Sequence, residues 1–108
     1  MSLDVMLTVD MDPTEVFEWN ITHNLGRMAR QAGIYEALWC PEELGIYEAR
    51  QLIVPLSRGL ETLKDEPDHF RKFNPENGWG NYEGLVKFVE KYKEACIENP
   101  DAEVRAYR

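Results

Sequence analysis

Apolar residues alternate with mostly polar ones at the start of the chain: Leu3, Val5, Leu7, Val9 and Met11 are separated by Asp4, Met6, Thr8 and Asp10. A period of two predicts a strand with one buried face. Asp12, Pro13 and Thr14 read as a turn,. Residues 16–21, rich in β-branched and aromatic side chains, read as the return strand of a hairpin,. The period then changes. Leu25, Met28, Ala29 and Ala32 fall at i, i+3, i+4 and i+7, which predicts a helix over residues 22–32,. Thr22 is placed to cap it and Gly33 to close it in the left-handed conformation,.

Residues 34–39 read as an apolar connector packed against the rest of the chain. Pro41 suits a first helical position, with Glu42 and Glu43 in the first turn and Gly45 as an interruption,. From Ile46, the positions of Ala49, Leu52, Ile53, Leu56, Leu60 and Leu63 describe a longer amphipathic helix,. Pro55 lies inside that pattern and predicts a kink or break near Val54,. Pro67 restarts a short helix that holds His69 and Phe70, with Phe73 nearby. Residues 74–80 are the strongest loop signal, and Asn81 is placed to cap the last helix,. Leu85, Phe88, Val89, Tyr92 and Cys96 form that helix's buried stripe, flanked outside by alternating Lys and Glu,. Asn99, Pro100 and Asp101 end it, and residues 102–107 alternate as a third strand.

The order strand, strand, helices, strand predicts an α+β fold. Two N-terminal strands and a C-terminal strand meet in a small antiparallel sheet, with three to five helices packed on one face. Residues 1–108 read as a single domain without repeats or low-complexity segments,.

The formal net charge of −8 changes the functional picture. An acidic surface repels nucleic-acid phosphates and anionic lipid heads, so neither a nucleic acid polymer nor a membrane is an expected partner. Cys40 and Cys96 lack CxxC spacing, and no signal peptide or spanning helix is visible,. Both thiols are therefore expected to be reduced and buried in a cytoplasmic protein, and the Asn20-Ile21-Thr22 sequon carries no meaning there,.

Asp10 to Thr14 fits the hhhDxDxT pattern of haloacid-dehalogenase-type phosphatases, but the chain is too short for their doubly wound sheet, and a turn is the simpler reading,. His23 and His69 have no companion ligands at metal-binding spacing, and no catalytic set, metal or cofactor is expected,. Asp65 and His69, four residues apart, read as a structural pair. The best candidate is the strand-to-helix junction. A helix N-terminus offers unpaired amides and partial positive charge, Asn20 and Asn24 add side-chain amides, and His23, Arg27 and Arg30 form a basic stripe in an acidic chain,. Trp39 and Trp79 are candidate walls, and Asn77 sits in the loop beside Trp79,. The expected ligand-binding set is therefore Asn20, His23, Asn24, Arg27, Trp39, Asn77 and Trp79.

The motifs NITHNL, GIY…LW and NGWG, with a PDAEVR tail, resemble a small protein family associated with bacteriophage and prophage genomes. The likeness covers nearly the whole chain. It implies a phage origin and supplies no activity or catalytic residues. In that family the position of Cys40 is an Arg, which argues against a nucleophilic role for Cys40. The leading expectation is a small acidic binding protein in an infected or lysogenic cell. Its candidate partners are a nucleotide or other small anion, or a host protein. The rivals are a small hydrolase or transferase using His23 and a carboxylate, and a homo-oligomeric structural or assembly module.

Overall fold

The computed structural model describes residues 2–9 and 14–108, the side chains of residues 14 and 15 excepted. Asp12 and Pro13 of the proposed turn, the acidic pair Asp10 and Asp12, and the end of the first strand at Met11 lie outside the described residues, while Thr14 begins the second strand. The architecture is α+β. Strands β1 (Ser2–Val9), β2 (Thr14–Thr22) and β3 (Glu103–Tyr107) form an antiparallel sheet in the order β2-β1-β3. The central strand obeys its alternation: Leu3, Val5 and Leu7 have no exposed surface, while Asp4 and Met6 turn outward. Leu7 pairs with Phe17 and Thr8 with Glu15, so Val16 is an extra residue that bulges β2,. The free edge of β3 is partly covered, since the Val104 amide donates to the Tyr47 carbonyl at 2.9 Å,.

The helices lie on one face of this sheet. They are α1 (Gly26–Gln31), α2 (Tyr35–Trp39), α3 (Ile53–Asp65), α4 (Pro67–Arg71) and α5 (Tyr82–Glu98). The Asn81 side chain caps α5 by accepting from the Gly84 amide at 2.7 Å. Leu85, Phe88, Val89, Tyr92 and Cys96 then form its buried stripe, as the spacing predicts. Phe17 and Trp19 of β2 lie over it: Phe17 stacks on Tyr92 at 5.3 Å and Trp19 packs on Phe88 at 6.0 Å. These rings form the aromatic part of a core continuous with α3.

Three expected elements differ. The predicted helix over residues 22–32 is a 3-10 turn, His23–Leu25, followed by α1. Thr22 caps the turn, accepting from the Asn24 amide at 3.2 Å, and Gly33 adopts φ of +78° after α1, as expected. The segment read as a connector contains α2, a five-residue helix too short to show a period. The interruption expected near Val54 is a change of helix type, not a gap. A 3-10 turn over Ala49–Leu52 passes into α3, and Pro55 sits in the first turn of α3, where a missing N–H costs no helix bond,. Gly59 on α3 faces Ile34. A Cβ there would lie 2.1 Å from an Ile34 methyl carbon, so the glycine lets α3 seat directly against the corner between α1 and α2.

Candidate functional site

That corner builds the candidate site. The Gly33 amide bonds to the Arg30 carbonyl at 3.1 Å and the Ile34 amide to the Ala29 carbonyl at 3.0 Å, so α1 reverses into α2 within a few residues. Met28 and Ala29 bury one face of α1 and leave Arg27 and Arg30 exposed. Tyr35 and Trp39, one turn apart on α2, come up beside those arginines. Gly26 gives them room, because even a Cβ at that position would touch the Tyr35 ring at 3.4 Å.

The contacts form a ladder. The Arg30 guanidinium carbon sits 3.8 Å from the centroid of Tyr35. Tyr35 stacks on Trp39 at 5.1 Å with the planes 13° apart. The Trp39 indole N–H donates to His23 Nδ1 at 2.7 Å. With Nδ1 accepting this bond, Nε2 is the ring nitrogen left to donate. Arg27 lies 5.3 Å from the ring of Phe73, and His69 packs edge-on against Phe73 and Phe70. Cation–ring contacts of this kind contribute about 0.5–1 kcal/mol at exposed sites. They hold a long side chain in place through its face, leaving the N–H edges available.

Between these groups lies a cleft of about 490 Å³ lined by His23, Gly26, Arg27, Arg30, Tyr35, Trp39 and Arg108. Arg108, following β3, is ion-paired to Glu42 at 3.2 Å and Glu43 at 3.9 Å. Among the described residues, neither the Arg27 nor the Arg30 guanidinium has a hydrogen-bond or carboxylate partner. Two uncompensated cations thus face one concavity in a chain of net charge −8.

Comparison with protein-family models, curated proteins and solved structures returns no match.

Of the residues singled out from sequence, the structure brings His23, Arg27 and Trp39 together around the cleft and adds Arg30 from the same basic stripe. It does not bring the other four there. Asn20 is outside the cleft, on the outward sheet face, where its amide donates to Ser2 Oγ at 2.9 Å and Asp4 Oδ1 at 2.7 Å. Asn24 is exposed, and its amide serves the Thr22 cap. The Asn77 side chain accepts from the Trp79 amide at 3.0 Å, a local turn in the 74–80 loop,. Trp79 is 70% exposed on that loop and lines no part of the cleft. The helix-end argument also changes. α1 has only six residues, and the Asn24 and Gly26 amides at its approach are already bonded. The positive charge is carried by guanidiniums instead. Tyr35 and Arg108 carried no local sequence signal: the first sat in a presumed connector, and the second enters only through the pairing of β3 with β1.

The two thiols are poor nucleophiles. Burial pushes Cys40 up to about 11, with Glu43 adding to the shift, and burial pushes Cys96 up to about 12,. No group of three or more His, Cys, Asp and Glu among the described residues is placed to hold a metal ion. No helix among them is long and apolar enough to cross a membrane.

Proposed function

We propose that this protein is a small-anion binding protein whose ligand sits in the cleft between α1 and α2. One observation carries the reading: Arg27 and Arg30 face the same concavity, are braced by aromatic rings, and have no carboxylate partner among the described residues. An acidic chain has many carboxylates with which to neutralise two surface arginines, so leaving both unpaired in one hollow favours an anionic guest. Charge-assisted hydrogen bonds from guanidinium to oxyanion contribute about 1.5–3 kcal/mol each. The resemblance to phage and prophage proteins supports a role in the cytoplasm of an infected or lysogenic cell, where the protein would withdraw a small anion, such as a nucleotide, from host use. The rival hydrolase reading needs a carboxylate on the His23 ring, and the indole of Trp39 occupies Nδ1,.

The test is thermal unfolding with inorganic phosphate and a panel of nucleotides. A ligand at a hundred times its dissociation constant adds about 2.7 kcal/mol of stability, a rise in Tm of several degrees. Arg27→Ala is expected to abolish the rise, while the Tm of the free protein falls only by the small share of the lost Phe73 contact,. A panel that leaves Tm unchanged overturns the reading.

A further inference from the structure

We infer that the cleft recognises a terminal phosphate monoester as a dianion, and that whatever the phosphate is attached to makes no stacking contact there. The inference rests on the anion-binding reading above and narrows it. The first argument is charge. The cleft lining contains three arginines and no aspartate or glutamate. Arg108 is already offset by Glu42 and Glu43, and His23, whose Nδ1 accepts from the Trp39 indole, adds Nε2 as a donor. The uncompensated balance is that of Arg27 and Arg30, two positive charges. A carboxylate or a phosphodiester brings one negative charge. A phosphate monoester brings about 1.5 to 2 at neutral pH, together with three terminal oxygens. Two guanidinium edges and the His23 Nε2–H supply donors for three such oxygens.

The second argument is that the rings are taken. A nucleobase held by stacking needs an open aromatic face. Trp39 is 2% exposed and gives its N–H to His23. Tyr35 has Arg30 centred on its ring and Trp39 stacked against it. The one strongly exposed tryptophan, Trp79, stands outside the cleft lining. The aromatic side chains here position arginines and are not free to clamp a base.

Isothermal titration at low salt and slightly alkaline pH tests this with ribose 5-phosphate, AMP, cyclic AMP, adenosine and acetate. Ribose 5-phosphate and AMP are expected to bind within threefold of each other. Cyclic AMP, a diester, and acetate are expected to be at least tenfold weaker, and adenosine silent. Arg30→Lys keeps the charge but loses the fork, and is expected to weaken AMP while leaving its preference over cyclic AMP. If cyclic AMP matches AMP, or adenosine binds alone, or AMP exceeds ribose 5-phosphate by tenfold, the inference is overturned while anion binding stands. If none of the phosphates binds, the anion reading itself falls.

Discussion

Phe17, Trp19, Phe88 and Tyr92 stack between β2 and α5, and Tyr35, Trp39 and His23 stack along the cleft. Both groups use offset ring contacts, yet they end differently. The first contains three phenylalanine or tryptophan rings, and its single hydroxyl, on Tyr92, is held neutral by burial. The second ends in a guanidinium on one side and an imidazole on the other. Ring stacking between β2 and α5 supplies cohesion. Beside α1 the same interaction spends its energy on presenting donors to solvent. A fold of this size can therefore keep a polar site rigid without burying charge, because rings brace the cations in place of carboxylates.

The sharpest way to break the comparison is Phe88→Ala. The side chain has no exposed surface, so its loss is expected to cost about 3–5 kcal/mol in urea unfolding,. Phosphate affinity of the molecules that remain folded is expected to be unchanged. A parallel loss of affinity would show that the two ring groups are one energetic unit.

A second measurement uses pH to isolate the interior. The Cys96 thiol moves from an ordinary 9.0 in the unfolded chain to about 12 in the folded one. Below pH 9 both states keep the proton and the thiol's contribution to stability is fully present. Between those values the unfolded chain gives the proton up first, so stability falls as pH rises, by at most about 1.4 kcal/mol per pH unit from this group. Cys96→Ala is expected to make the alkaline limb of the denaturation profile shallower, leaving the shares that belong to Cys40, Tyr82 and Tyr92, whose burial also raises them,. An unchanged slope would mean that Cys96 is reached by water.

The smallest expected effect sharpens the other half. Tyr35→Leu keeps apolar bulk beside Trp39 but removes the ring under Arg30. The cation–ring contact is worth about 0.5–1 kcal/mol, so phosphate affinity is expected to drop roughly two- to fivefold with little change in stability. Affinity that stays constant would show that Arg30 needs no brace.

The sequence made the frame readable where one pattern decided each element. Alternation in β1, the stripe of α5, the Asn81 cap and the positive φ of Gly33 are all local properties. α2 was hidden because five residues between Gly33 and Pro41 hold barely more than one turn. The site was half legible. His23, Arg27 and Arg30 share a short segment whose charge stands out, whereas Tyr35 looked like filler and Arg108 is brought in by strand pairing. The asparagines misled for a physical reason. An amide that can hold a ligand also satisfies a turn or a neighbouring strand, and Asn20 and Asn77 do the latter,.

The position of β3 against β1 has a further consequence. Arg108 reaches its place only when the far end of the chain has docked beside the first strand, while Arg27 and Arg30 are set by a local corner. A chain with its helices formed and its third strand loose would still display two cations, but the wall opposite them would be missing along with the Glu42 and Glu43 contacts. On the proposed anion-binding reading, capture of the guest would follow closure of the sheet, and tight binding would report that the third strand has docked.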